Sequence, residues 1–457
     1  MKKKIKLTQL ILISLSAIVG LKSLPLFAEV GVSLIFFLGL STLLFFIPIS
    51  MAIAELSSTW PHSGGCYYWI KKAYGENTAF LVIWAYWIES IIWFPTMLIF
   101  IVAMLAHAMT PIYQGLENNS YFLIFGIISI FWILTFINFY GIKISAKFSS
   151  IGVLIGTIIP IILIITFGIF WLIKGNNINL IFKIENIVPK LDLNNLVFFS
   201  GILLGISGIE IISFYIKDVE NPEKNIAKAV IISSFFIIII YLLGSLSVAI
   251  VVPKNELSFA SGIIQALKIF FKKINLECIT PLIAFFLLLG SLSGMNTWII
   301  GPAKGLFEAA NDNFLPHFLK KTNKDDVPTN ILIIQALIGS ILSILFFTYI
   351  NSINGLIWIF VCLSFQFASI LYIMIFFSVM KLRKLYPNIK RPYKAPAIKL
   401  LSFLGITICS FTFLISYIQP ANIETTEKFF YLMLLLISSI ILALPALIFS
   451  YLKYKKN

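Results

Sequence analysis

Charge is what this sequence has least of. Of 457 residues only 12% are Asp, Glu, Lys or Arg, about half the share that a water-facing surface carries. A soluble domain of this length has no core large enough for the 60% that are apolar. Cysteine is scarce and scattered. Cys66, Cys278, Cys362 and Cys409 form no C-x-x-C pair, so neither a disulfide framework nor a thiolate zinc site is expected, and they read as small apolar side chains. The three His are too dispersed for a metal cluster, and neither H-E-x-x-H nor G-x-x-x-x-G-K-[ST] occurs. Zinc hydrolysis and ATP hydrolysis by those devices are excluded. Enzyme chemistry has little footing, and no cofactor or metal is expected. The opening MKKKIK and the apolar run after it lack a small-residue cleavage pattern, so they read as a retained span rather than a leader.

What is present is hydrocarbon: 43 Phe and a mean hydropathy of +0.99. The formal charge of +15 lies in short basic runs between apolar stretches. That distribution suits anionic lipid headgroups and argues against nucleic acid. Runs such as SSFFIIIIYLLGSLSVAIVV do not alternate, which excludes strands of a barrel. Backbone polar groups in lipid need internal partners, so the spans are helices. The pattern predicts an all-α polytopic membrane protein with twelve transmembrane helices, at 7–28, 31–56, 78–108, 121–140, 145–173, 194–216, 227–252, 278–303, 328–350, 353–380, 397–418 and 429–452. The third is expected to tilt or break near Pro95. With the N terminus cytoplasmic, 25 of the 34 Lys and Arg fall on the inner side, including Lys2, Lys3, Lys4, Lys143, Lys147 and Lys217, and eight on the outer side. Both termini are therefore expected in the cytoplasm. Segment 57–77 is expected to form a short interfacial helix after Gly64-Gly65, and 259–273 a surface helix on the outer leaflet, its apolar residues at 263, 264, 267, 270 and 271.

Spans one and six are interrupted. The first carries Ser14, Ser16, Gly20, Ser23 and Pro25 around Lys22; the sixth carries Ser200, Gly201, Gly205, Ser207 and Gly208, then Glu210. Gly and Pro weaken a helix by separate routes, and two facing breaks would leave free N–H and C=O groups at mid-membrane for a carboxylate and an ammonium. Gly and Ser also permit close helix packing, which is the plainer reading. Ionisable residues at depth mark function: Lys22, Glu89 in span three, and Glu210. Lys22 is expected to pair with Glu89, with Glu210 or with a bound carboxylate, or else to lose its proton, and to serve in proton coupling. Glu55, at the end of span two, reads as a structural tie. Tyr86, Trp87, Trp93, Trp298 and Tyr372 lie near these positions and could close over a small substrate. Polar residues concentrate at two breaks rather than along several spans, which favours a transporter over a channel.

Five stretches carry a family likeness: SAIVGLKSLPLFAEVGVSLIFF (16–37), IPISMAIAELSSTWPHSGGCYYWIKKAYG (47–75), GISGIEIISFYIKDVENPEKNIAKA (205–229), LLLGSLSGMNTWIIGPAKGLFEAANDNFLPHFLKKTNKDDVPTN (287–330) and KRPYKAPAIKL (390–400). In order and over nearly the whole chain, they resemble the amino acid–polyamine–organocation superfamily, and within it the bacterial glutamate:GABA antiporters. The resemblance implies a 5+5 inverted-repeat (LeuT-like) core, with residues 1–173 and 194–380 as the two repeats and 397–452 as two peripheral helices. It implies alternating access between spans one and six, with the 57–75 segment moving. It implies that Trp298 and Tyr372 lie on the substrate path. With the residues of the two breaks, the expected substrate contacts are Ser16, Ala17, Gly20, Lys22, Gly205, Ser207, Gly208, Trp298 and Tyr372. The charges at depth, with the nearby tyrosine, give Lys22, Glu89, Glu210 and Tyr86 as the expected coupling or gating residues.

The expected function is secondary active transport of a small amino acid across the bacterial inner membrane, by exchange or proton symport, in a monomer or weak homodimer. Lys22 stands where those antiporters have an aromatic residue. Its charge should repel arginine, lysine or a diamine and suit an acidic or neutral amino acid. A polyamine or amine exchanger and a non-transporting membrane subunit are the alternatives. The antiporters carry a long C-terminal tail that plugs the path at neutral pH; the chain ends at Asn457, just after span twelve, so that gate is not expected.

Overall fold

Runs of about twenty apolar residues fold as helices in lipid because only a helix satisfies its own backbone there. A computed structural model of the chain describes residues 5–62, 64–140, 152, 154–350, 352–421, 423 and 427–456. Among these, eleven helical segments are long and apolar enough to cross a membrane. The first predicted span is the exception, for it consists of two short helices, α1 (Leu7–Ile18) and α2 (Ser23–Ala28). The eleven are α3 (Gly31–Thr59), α5 (Glu76–Ala108), α6 (Ser120–Asn138), α7 (Leu154–Ile173), the segment Leu193–Phe214 that contains α8 (Phe198–Ile206), α9 (Pro222–Ala249), the segment Glu277–Asn311 that contains α11 (Thr280–Asn311), α12 (Thr329–Tyr349), α13 (Ile353–Leu385), α14 (Ile398–Ile415) and α15 (Lys428–Lys456). The helices α4 (Cys66–Tyr74) and α10 (Gly262–Lys273) do not span.

Burial sorts these helices. The apolar stretches of α5, α13 and the α8 segment are each 83% buried, whereas that of α15 is 11% buried. The first three are therefore the centre and α15 the rim. The centre packs α5 against α11 and α13, with α8 against α13 and α1 against α9.

Two expectations need correction. α5 runs unbroken through Pro95. A membrane helix tolerates the lost donor because neighbouring groups re-satisfy the backbone. Helix α10 forms where its amphipathic spacing predicts, but Ile263, Ile264, Leu267, Phe270 and Phe271 are buried against the protein, none more than 2% exposed. Its apolar face is covered by α2, α7, α9 and α11 rather than by the outer leaflet. Helix α4 follows a turn in which Gly65 has φ +49°, as the Gly64-Gly65 pair predicts, and it too packs on α5 and α13. Lys2, Lys3, Lys4, Lys143, Lys147 and the start of the 145–173 span lie outside the described residues, and the side chain of Lys217 is likewise not described.

Candidate functional site

The interruption of the first span is a tight turn. Val19 has φ −71° and ψ 81°, and the Gly20 N–H donates to the Ile18 carbonyl at 2.7 Å, the geometry of an inverse γ-turn. The Tyr241 hydroxyl on α9 serves both sides of the break. It accepts from the Gly20 N–H at 3.1 Å and donates to the Ile18 carbonyl at 2.6 Å. The Trp298 indole donates to the Ala17 carbonyl at 2.7 Å. The freed groups that the sequence promised to a ligand are thus held by side chains in this conformation.

The sixth span ends α8 at Ile206. Ser207 is extended, with φ −78° and ψ 169°, and Gly208 has φ +113°, a region that L side chains rarely adopt. Tight 3-10 turns follow over Ile209–Asp218. The Tyr372 hydroxyl accepts from the Gly208 N–H at 3.2 Å and donates to Glu210 Oε2 at 3.0 Å, while the Tyr86 hydroxyl donates to Glu210 Oε1 at 3.1 Å. Glu210 is fully buried, so two phenols on two other helices clamp the carboxyl beside the break.

Between the breaks lies a narrow cavity, with about 610 Å³ of atom-free space once its open mouth is counted and room inside for about two waters in this conformation. Of the sequence-predicted residues, Ala17, Gly20, Lys22, Glu89, Gly205, Ser207 and Trp298 line it. Gly208, Glu210, Tyr86 and Tyr372 form the adjoining cluster instead. Trp298 stands between the two groups, with its ring 6.3 Å from that of Tyr86 and 5.4 Å from that of Trp93. Ser16 is buried outside the cavity lining, its carbonyl turned to Gly294.

Of the partners expected for Lys22, neither carboxylate of the chain is reached. The Lys22 ammonium donates to Thr96 Oγ1 at 2.5 Å and sits 4.7 Å from the centre of the Trp93 ring. Among the described residues it makes no ion pair with Glu89 or Glu210. Its direct contacts are a hydroxyl and an aromatic face, neither of them an anion, which leaves a place beside it for a carboxylate. Glu89 lines the same cavity, and its Oε2 has no hydrogen-bond partner among the described residues. An ammonium and a carboxylate that share a cavity without pairing are complementary to the two ends of a zwitterion.

Thr96 and Tyr241 were missed by sequence reasoning. Thr96 follows Pro95, and Tyr241 breaks the apolar run FFIIIIYLLG; each was a visible signal, a hydroxyl at depth. Phe259, from the loop before α10, closes part of the wall.

Charged networks sit at the ends of the helices. At the Leu7 end, Glu55 is 1% exposed and accepts from Arg383 Nε at 2.7 Å, from a second Arg383 nitrogen, and from the Ala395 N–H at 2.8 Å, with Arg391 3.3 Å away. Glu55 is the structural tie it was expected to be. Nearby, Asp312 accepts from Tyr67 and from Lys71 at 2.7 Å, and Lys71 also pairs with Glu76 at 2.9 Å. Burial alone would pull the Lys71 ammonium down; its bonds to Asp312 and Glu76 outweigh that and raise it. Burial and the bond to Asp312 push the Tyr67 phenol up. At the opposite end, Glu29 is buried and lies 3.5 Å from Lys254. Burial pushes its carboxyl up to about 7, against the pull of Lys254.

Comparison with known proteins covers nearly the whole chain. The family profile described as amino acid permease matches residues 5–440. An uncharacterized transporter of Legionella pneumophila is 37% identical over 434 residues, covering 94% of this chain and 93% of the relative. A glutamate/gamma-aminobutyrate antiporter of Lactococcus lactis is 30% identical, covering 98% and 90%. A probable agmatine/putrescine antiporter of the same species is 24% identical, covering 80% and 77%.

Proposed function

The chain belongs to the amino acid permease family, membrane transporters of the amino acid–polyamine–organocation superfamily, and on that footing we propose that it is a secondary active transporter of an acidic or neutral amino acid, working by exchange or proton symport. The observation that carries this is the pair Lys22 and Glu89, opposite charges facing one cavity at two helix breaks with no ion pair between them. The substrate carboxylate goes to Lys22 and the α-ammonium to Glu89, with Ala17, Gly20, Gly205 and Ser207 beside it and Trp298 as its floor. Glu210, clamped by Tyr86 and Tyr372, belongs to the gate or the coupling relay rather than to the cavity. Two spans interrupted five apart support an inverted repeat of residues 1–173 and 194–380, with 397–452 peripheral, and the distribution of Lys and Arg supports cytoplasmic termini in an inner membrane.

The relative named as a glutamate/gamma-aminobutyrate antiporter favours amino acid exchange. The relative named as a probable agmatine/putrescine antiporter, together with the unpaired oxygen of Glu89, favours a second reading as an amine exchanger, which Lys22 opposes. Uptake of radiolabelled amino acids and putrescine into proteoliposomes, with and without internal amino acid and a pH gradient, decides between them. An acidic or neutral amino acid should accumulate and putrescine should not. Accumulation that needs internal substrate means exchange; accumulation that needs only the gradient means symport. Lys22→Ala removes a charge-assisted bond and should lower uptake roughly ten- to hundredfold. An unchanged rate and pH profile in that variant would refute the assignment.

A further inference from the structure

A second pocket lies at the end opposite Leu7, between the end of α5, the last turns of α10 and the start of α11. It holds about 680 Å³ of atom-free space, counting its mouth, and is lined by His107, Thr110, Lys268, Lys272, Glu277 and Thr280, among others. His107 and Thr280 are each only 5% exposed. Among the described residues, neither ring nitrogen of His107 and not the hydroxyl of Thr280 has a hydrogen-bond partner. Buried polar atoms without partners are rare and costly, and each calls for an explanation. Both residues belong to the pocket wall, where a guest whose arrival turns the side chains outward would complete them.

The donors outnumber the acceptors. Lys268 and Lys272 stand one turn apart on α10 with exposed side chains, and His107 and Thr280 add an N–H and an O–H. Glu277 is the single carboxylate in the lining. Such a set favours an anionic group with several oxygens, above all a phosphate. The surroundings name its carrier. Leu282 and Phe285 follow Pro281 on α11, and Ile112 follows Thr110 by two residues; they are 51%, 45% and 75% exposed. A basic pocket at a helix end, next to outward-facing apolar side chains, is built for a headgroup whose acyl chains continue along the helix. We propose that this pocket binds the phosphate of an anionic phospholipid, clasping α5, α10 and α11 together at the membrane surface.

The test uses the full chain, purified in detergent and stripped of lipid. Native mass spectrometry and thermal melting are followed on adding phosphatidylglycerol, phosphatidylcholine, inorganic phosphate or glutamate, each alone. One phosphatidylglycerol should remain bound, with a rise in Tm, while phosphatidylcholine does neither. Lys268→Gln with Lys272→Gln should abolish both effects and leave the lipid-free Tm unchanged, because both side chains are exposed. Arg at both positions should retain them. If the Gln pair fails to fold, Thr280→Val provides the same test with both lysines in place, and it too should bind less lipid. Retention of phosphatidylglycerol by the variants, or equal binding of phosphatidylcholine, would overturn the proposal. So would an equal stabilisation by inorganic phosphate or glutamate, which would make this a site for a soluble anion.

Discussion

Gly205 and Gly20 both border the main cavity, yet for different reasons. A Cβ on Gly205 would lie 2.4 Å from the Phe27 ring, so α8 needs a bare backbone there for α2 to pack against it. A Cβ on Gly20 would meet nothing closer than Ser23 Oγ at 3.6 Å. Gly205→Ala should therefore cost about 1–3 kcal/mol through overpacking, while Gly20→Ala should stay near the wild-type Tm. Equal melting temperatures would show that the Phe27 contact is not what keeps this position small. Glu29 makes a prediction of a different kind. Its folded pKa, about 7, lies above its ordinary value of 4.5, so the folded chain binds this proton more tightly than the unfolded chain does. The resulting stability is present at low pH and is lost as pH rises from about 4.5 through about 7. Glu29→Gln should flatten that part of the Tm–pH curve in detergent. A slope unchanged by the substitution would assign it to another group.

At the scale of the element, what could be read from the sequence was what lies close along the chain. Hydropathy located the spans, and the Gly, Ser and Pro clusters located both breaks, because each signal acts on a few consecutive residues. The π-turn at Thr42–Phe46 inside α3 had no such signal. Amphipathic spacing found α10 but not what covers its apolar face; lipid and protein demand the same pattern from the helix, and only tertiary packing distinguishes them. The same limit applies at the candidate site. Lys22, Glu89 and Glu210 stood out as charges at depth, but partners 74 and 221 residues apart, Lys22 with Thr96 and Gly20 with Tyr241, are set by how helices dock. Tyr241 changes the reading of the break itself. While its hydroxyl bridges Gly20 and Ile18, a substrate at those backbone groups must either displace it or bind to the side chains beside it, and Lys22 and Glu89 are the groups left open. The two interrupted spans also meet away from the cavity. Ile5 pairs with Val219, and the Glu220 N–H donates to the Ile5 carbonyl at 2.9 Å, so the segment before α1 and the turns after Gly208 are joined at their far ends.

Across the whole molecule, α5 serves as a ruler. At about 1.5 Å per residue, Glu76 at its start lies roughly 20 Å from Glu89 in the cavity wall, with Tyr86 between them. Toward the Glu76 end lie the Tyr86–Glu210–Tyr372 cluster, with Trp298 in the cavity wall, and then the Asp312 and Glu55 networks. The opposite end has the Glu29–Lys254 pair and Phe259. Asp312 accepts from both Tyr67 and Lys71 of α4, and the residue before them, Cys66, packs 3.7 Å from Ser213 in the turns of the sixth span. A Cβ on Gly65 would collide with that same serine at 2.3 Å, so α4 is seated directly on the segment that follows the break. If α4 is a latch, freeing it should uncover Cys66, whose thiol burial now pushes up and keeps unreactive. Asp312→Asn, made in a Cys278→Ser background to remove the exposed cysteine, should speed maleimide labelling of Cys66 several-fold, and substrate held in the cavity should alter that rate by shifting the balance between the latched and open states. A labelling rate the same with and without the Asp312 carboxylate would mean that α4 is held by its apolar contacts with α5 and α13, and that the ionic layer at this end does not govern access to the cavity.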